Sequence, residues 1–216
     1  ITTPLLLLLI LAAGPAVAAD APAAGGSLAD LGLEDLMRIE VTTVSRRPQR
    51  IADTAAAVSV LTADDIRRSG ATSIPEALRL IPGVEVARID GTRWAVSIRG
   101  FNVGFANKLL VLVDGRSVYS PLFSGTFWDG PDTFLEDIDR IEVVRGPGAV
   151  IWGSNAVNGV VNIITKRAAD TTGGLVSAAV GPDERRVGAR YGADLGEVGQ
   201  WRLYAQNVER DDTYQA

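Results

Sequence analysis

Two apolar runs near the middle of the chain, Arg140-Ile141-Glu142-Val143-Val144-Arg145 and Gly159-Val160-Val161-Asn162-Ile163-Ile164-Thr165-Lys166, are dominated by β-branched residues. Between them lies Gly146 to Asn158, punctuated by Gly, Pro and Asn. Branched side chains suit a pleated backbone and the breakers mark a connection, so the pattern predicts two strands around one long loop. Upstream, Ile51 to Leu61 reads as a strand region of small residues, with Ala55 to Leu61 carrying the pattern. Thr62 with Asp65 caps a helix ending at Gly70, and Ser73-Ile74-Pro75-Glu76 opens a second helix that stops before Pro82-Gly83. Asp64-Asp65 and Arg67-Arg68 sit at the favourable ends of the first helix dipole and receive no other role. Val84 to Ile89 and Trp94 to Arg99 flank Asp90-Gly91, and Lys108 to Val113 and Arg116 to Tyr119 flank Asp114-Gly115; both are hairpin signals. Asp132 caps a short helix through Phe134, Leu135 and Ile138.

From about Gly174 the pattern changes. Val187, Ala189, Tyr191, Ala193 and Leu195 alternate with Arg186, Gly188, Arg190, Gly192 and Asp194. The same alternation returns in Trp201, Leu203 and Ala205 against Arg202, Tyr204 and Gln206, after a short turn at 196–199. One apolar face and one charge-bearing face fit a transmembrane β-barrel with lipid outside and a polar lumen. A two-sided soluble sheet alternates in the same way.

At the other end, Leu5 to Leu11 is apolar and Ala16-Val17-Ala18 precedes Ala19-Asp20, the core and cleavage pattern of a secretory signal, with cleavage expected after Ala18 or Ala19. The run is too short for a spanning helix, which needs roughly 20 apolar residues. Without an initiating Met or a basic start, the sequence is expected to begin inside the signal. Ala19 to Gly26 follows as a mobile mature terminus. Ser27 with Asp30 then predicts a short amphipathic helix carrying Leu28, Leu31, Leu33, Leu36 and Met37.

Composition narrows the chemistry. The 216 residues include no His and no Cys, so no imidazole base, thiolate nucleophile, thiol metal ligand or disulfide is present. A net charge of -5 gives no basic footprint for nucleic acid. Neither a Gly-x-Ser-x-Gly elbow nor a phosphate-binding loop occurs. No enzyme activity, metal or cofactor is expected.

Arg-Ile-Glu-Val-Val-Arg-Gly-Pro (140–147), Trp-Gly-Ser-Asn-Ala (152–156) and Gly-Val-Val-Asn-Ile-Ile-Thr-Lys (159–166), taken together and in this order, resemble the signature of the plug domain of TonB-dependent outer-membrane receptors. Ser97-Ile98-Arg99-Gly100-Phe101 and Leu110-Val111-Leu112-Val113-Asp114-Gly115-Arg116 match the same family. Relatives more often carry Leu-Tyr-Gly and Gly-Gly where this chain has Ile151-Trp152-Gly153 and Asn158-Gly159. The resemblance implies an α+β plug domain, a mixed β-sheet with short helices, followed by the first antiparallel strands of a transmembrane β-barrel. Boundaries follow as a signal remnant at 1–19, a flexible segment at 20–50, the plug at 51–168 and the truncated barrel start at 174–216.

By position, Glu40, Val41, Thr42, Thr43, Val44 and Ser45 resemble the TonB box, an extended segment that would pair edge-on with a strand of periplasmic TonB. Such pairing draws affinity from the main chain and tolerates the departure from the usual hydrophobic-Val-Val-Thr-Ala. A plain edge strand of the plug is the alternative. Arg99 and Arg145 each precede Gly in a family motif, and arginines at these places in relatives face carboxylates of the barrel wall; surface arginines at strand ends are the alternative. Asn102 to Asn107 and Tyr119 to Trp128 are candidate ligand loops, with Phe101, Phe105, Phe123, Phe127 and Trp128 as aromatic surface. Large plugged barrels have 22 strands, so three strands read as the opening of a longer protein. The implied function is energy-coupled uptake of a scarce solute across the Gram-negative outer membrane, with TonB, membrane lipid and a small ligand such as a metal chelate as partners. Ferric siderophore, haem, cobalamin, nickel or oligosaccharide stay open. A barrel-less periplasmic module for binding or signalling is the rival.

Overall fold

The computed structural model describes residues 40–211 except 55, 101, 106, 123, 129–132 and 183, and only the backbone of 149 and 150. The signal at 1–19, the helix expected from Ser27, the Asp132 cap, Phe101 and Phe123 lie outside the described residues. Among those described, no helix is long and apolar enough to cross a membrane, which bears on helices alone.

Five strands form the central sheet. They are β3 (Ala57–Thr62), β6 (Leu109–Val113), β7 (Arg116–Ser117), β10 (Ile138–Arg145) and β11 (Gly159–Thr165), in the order β3-β10-β11-β6-β7. β10 runs antiparallel to both neighbours and β11 parallel to β6, so the sheet is mixed. The period of two sorts its side chains. Leu61, Ile141, Val143, Val161, Ile163, Leu109 and Val111 join the main core, packed beneath α1 (Ala63–Ser69), α2 (Ile74–Leu78) and strand β5 (Trp94–Ile98). Leu110, Leu112, Val144 and Val160 form a second cluster on the opposite face, with Val44, Val58 and Trp152 against them.

The local signals fold as they read. Thr62 and Asp65 make the reciprocal capping box of α1, and Gly70 closes it at φ +70°, a left-handed conformation suited to glycine. Ser73 caps α2 with Pro75 in its first turn. The two Asp-Gly hairpins are β4 (Val84–Arg88) with β5 (Trp94–Ile98), and β6 with β7. The strand expected from Ile51 begins at Ala57, and Ile51–Asp53 is a 3₁₀ turn. The helix expected from Asp132 is a 3₁₀ turn at Leu135–Asp137, and Ile138 already belongs to β10. Short pairs complete this part: β1 (Glu40–Val41) with β2 (Gln49–Arg50), and β8 (Tyr119–Ser120) with β9 (Gly125–Thr126). A turn of helix, α3 (Ala149–Trp152), sits within the 146–158 loop.

A separate antiparallel sheet follows: β12 (Gly173–Val180), β13 (Glu184–Asp194) and β14 (Gln200–Arg210). β13 and β14 have 11 residues each, the length of a tilted transmembrane strand. Val176, Val180, Val187, Tyr191 and Leu203 are exposed on one face, whereas Arg186, Gly188, Arg190, Gly192 and Arg202 turn towards the rest of the chain. Tyr191 and Trp201 lie together near the 196–198 turn, ring centres 5.9 Å apart.

Candidate functional site

Glu142 lies in the middle of the central strand and is fully buried. Buried carboxylates are rare unless compensated, and this one is compensated by the amino-terminal strip. Its Oε2 accepts the backbone N–H groups of Thr42 and Thr43, both at 2.9 Å, and the Thr43 hydroxyl at 2.5 Å. Its Oε1 accepts Arg140 Nε at 2.9 Å. Register places Asn162 directly opposite Glu142, and Asn162 Nδ2 donates to Thr43 Oγ1 at 3.2 Å while its Oδ1 accepts from Gly115 N. From the long loop, Trp152 Nε1 donates to the Thr43 carbonyl at 2.7 Å, and the Arg46 guanidinium rests 4.3 Å from the Trp152 ring centre. Val41 is fully buried and Val44 packs on the second cluster. The strip Glu40–Ser45 is therefore latched under the sheet by three side chains, Glu142, Trp152 and Asn162, none of which sequence reasoning had assigned to it. The available signal was a Glu inside the β-branched run, with a parity that puts it on the Val144 face.

A second polar assembly joins the plug to the three wall strands. Asp137, also fully buried, accepts Arg190 Nη1 at 2.5 Å and lies 3.2 Å from Arg202 Nε. Arg202 Nη1 donates to the Lys166 carbonyl at 2.8 Å, and Lys166 Nζ donates to the Glu136 carbonyl at 2.9 Å. Burial, and after it the charge of Arg190, pulls the Lys166 ammonium below its ordinary pKa, with Asp137 and Asp139 opposing. Arg186 donates to Thr72 O and pairs with Glu184, which also binds Arg210 at 3.0 Å. Beside these charges Phe134 stacks on Tyr204, ring centres 5.7 Å apart, and fills the space where a side chain at Gly188 would begin.

Arg99 and Arg145 are placed elsewhere. Arg145 is opposite Gly159 in the sheet, and a Cβ on Gly159 would strike Ile98, so both arginines sit at the end remote from Asp137. Arg145 Nη1 donates to the Pro82 carbonyl at 2.9 Å, and Arg99 is exposed at φ +61°. Among the described residues neither pairs with a carboxylate. The wall contacts observed have the opposite polarity to the one expected, with arginines on β13 and β14 and the carboxylate on the plug.

The candidate ligand loops converge partly. Ile89, Trp94, Gly104, Phe105, Phe127 and Trp128 line a small cleft beside the β4–β5 turn, and Gly91 in that turn approaches the Asp211 carbonyl at the end of β14. Asp90 holds this turn: the backbone N–H of Arg93, then that of Thr92, lowers its carboxyl to about 2.

Known proteins share this design. The family of the TonB-dependent Receptor Plug Domain matches residues 50–160, half of the chain. This chain belongs to the TonB-dependent receptors. The vitamin B12 transporter BtuB of Vibrio cholerae serotype O1 is 36% identical over 178 residues, 81% of this chain and 28% of that protein. BtuB of Photobacterium profundum is 36% identical over 191 residues, 87% of this chain and 30% of its own length. Among solved structures, the alcaligin outer-membrane receptor FauA of Bordetella pertussis aligns with a TM-score of 0.64 at 27% identity, covering 85% of this chain and 32% of FauA. The siderophore receptor PirA of Pseudomonas aeruginosa aligns at 0.54 and 31% identity, covering 74% and 30%. The receptor chain therefore spans less than a third of these relatives. In the TonB-dependent receptors so matched, the mixed sheet is the plug, and β12–β14 are antiparallel strands of the barrel kind.

Proposed function

We propose that this chain is the plug and opening wall of an outer-membrane receptor that captures a scarce solute and passes it to the periplasm when TonB pulls on Glu40–Ser45. The carrying observation is the latch. Only Glu40 and Val41 are strand, paired with Arg50 and Gln49; Thr42 to Ser45 bend into a turn whose backbone N–H and C=O groups are held by Glu142 and Trp152, and once drawn out straight that turn offers its main-chain groups to a competing strand. The outer membrane sustains no suitable gradient, so force must come from the inner membrane through TonB. Local stability decides what yields, and the strip, paired over two residues with β2 and otherwise fixed by hydrogen bonds to Glu142 and Trp152, is a low-stability element next to the buried β10–β11 pair. In this reading the apolar face of β12–β14 meets lipid, the amino terminus faces the periplasm, and the cleft at Trp94, Phe105 and Trp128 faces outward with the ligand loops. Arg99 and Arg145 retain the role of contacts to wall carboxylates at the far end of the sheet.

For cargo, the relatives named vitamin B12 transporters favour a corrinoid, and the likeness to PirA favours a ferric siderophore second. Deleting Glu40–Ser45 from the full-length receptor is expected to abolish energised uptake of labelled cyanocobalamin into cells while surface binding persists. Uptake that survives the deletion overturns the box assignment. Binding of ferric alcaligin in place of cyanocobalamin moves the cargo to siderophores.

A further inference from the structure

The cleft beside the β4–β5 turn holds a buried hydroxyl that no described residue engages. Thr126, on β9, lines it and is 4% exposed, and its Oγ1 has no hydrogen-bond partner among the described residues. A buried polar atom left alone costs free energy, so an orphan in the lining of a cleft calls for a partner that arrives with a ligand. Ile89, Trp94, Phe105, Phe127 and Trp128 surround it. Depth orders them: Trp94 at 7% and Trp128 at 8% exposure make the floor with Thr126, and Phe105 at 37% and Ile89 at 39% make the mouth.

The space is about 60 Å³, room for roughly four or five waters, which is about what one benzene-sized ring displaces. Behind Trp94 and Trp128 the next void, beside Arg186 and Arg210, measures about 20 Å³ and has room for one water, so the slot ends at the two indoles. Its walls are set in advance. Asp90 Oδ1 accepts the N–H groups of Thr92 at 3.0 Å and Arg93 at 2.7 Å, and Arg88 Nη2 donates to the Gly91 carbonyl at 3.1 Å, which pins the turn. A Cβ on Gly125 would lie 3.0 Å from the Phe105 backbone and one on Gly104 would lie 3.1 Å from Ile89 Cδ1, so both glycines let the mouth narrow to the width of one ring. Preformed walls spare a ligand the cost of ordering them. The charges at hand are already engaged: Arg93 pairs with Asp90, and Arg79 and Arg88 rest 5.5 and 5.4 Å from the Trp94 ring centre. An ionised group in the slot would lose water without gaining a counter-ion, whereas a neutral ring gains offset and edge contacts with aromatic side chains.

We propose that this slot takes one uncharged aromatic ring carrying a hydrogen-bonding group, and that Thr126 selects for that group. The captured solute then presents such a ring on its surface. The inference rests on the reading of this cleft as the outward, ligand-facing one, and adds the chemistry it recognises.

The test is fluorine NMR titration of the full-length receptor in lipid nanodiscs with para-fluorophenol, compared with fluorobenzene and para-fluorobenzoate. Para-fluorophenol is expected to bind saturably and more tightly than either. Thr126→Val keeps the shape and removes the hydroxyl; it is expected to weaken para-fluorophenol about 3- to 10-fold and leave fluorobenzene unchanged, while Thr126→Ser stays within about twofold of wild type. Gly104→Val fills the mouth and is expected to abolish saturable binding. Equal affinity for para-fluorophenol and fluorobenzene, para-fluorophenol binding unchanged in Thr126→Val, or binding that persists in Gly104→Val as partition into lipid overturns the slot. The titration needs neither TonB nor uptake, so loss of the slot and failure of the box deletion are told apart.

Discussion

Glu142 is the residue on which the amino-terminal strip depends. Its carboxylate satisfies two backbone N–H groups and a hydroxyl in a site without exposure, and a buried donor left without a partner costs about 1–3 kcal/mol. Glu142→Leu keeps the bulk and removes the acceptor. Amide exchange at Thr42 and Thr43 in the full-length protein is expected to accelerate about 5- to 150-fold, with exchange at Val161 unchanged. Equal exchange in the variant would remove Glu142 from the latch. Asp137 shows the same logic with opposite surroundings, since its partners are guanidinium groups from other strands. Neither role was legible in sequence. Apart from Arg140 beside Glu142, the partners lie far along the chain, Thr42 and Thr43 from Glu142 and Arg190 and Arg202 from Asp137, and residue type alone marks such carboxylates as surface groups. The family motifs pointed to Arg99 and Arg145, and the structure sets both at the opposite end of the sheet.

At the scale of elements, strands and caps followed local rules closely. Thr62 with Asp65, Ser73 with Pro75, and the two Asp-Gly turns specify their own hydrogen bonds over three or four residues, so tertiary context had little to change. The pairing of strands distant in sequence had no such signal. At the start of β11, Gly159 lets the strand lie close beside β10 and beneath β5: a Cβ there would sit 2.6 Å from the Val144 carbonyl and 2.8 Å from Ile98. Gly159→Ala is expected to lower the opening free energy of the β10–β11 pair by about 1–3 kcal/mol, as overpacking of a tight site does. Exchange at Val143 and Val161 should speed up while β13 and β14 stay protected. Unchanged protection at both would show that the neighbours absorb the methyl group.

For the whole molecule, the two sheets differ in what covers them. The central sheet is covered on both faces by its own chain, whereas β12–β14 carry an uncovered apolar face with Val176, Val180, Val187, Tyr191 and Leu203. An exposed patch of that kind on open strand edges associates in water. This 216-residue chain, refolded alone, is expected to sediment as aggregates without detergent and to run as a small species with it, and shortening it to end at residue 172 should relieve the dependence. A monodisperse, detergent-free chain would deny the lipid-facing role of that sheet.

Sequence alone determined the plug motifs, the order of local elements, the change of period near Gly174 and the exclusion of His and Cys chemistry. These are written in neighbouring residues, where backbone sterics and alternation act over a few positions. Tertiary structure alone decided that Thr42 and Thr43 rest on Glu142, that the plug hangs from Arg190 and Arg202 by Asp137, and that Phe134 needs the emptiness of Gly188. Such contacts join positions about 50 to 100 residues apart, and their energy exists only after the chain has closed those distances and excluded water from the charges between them.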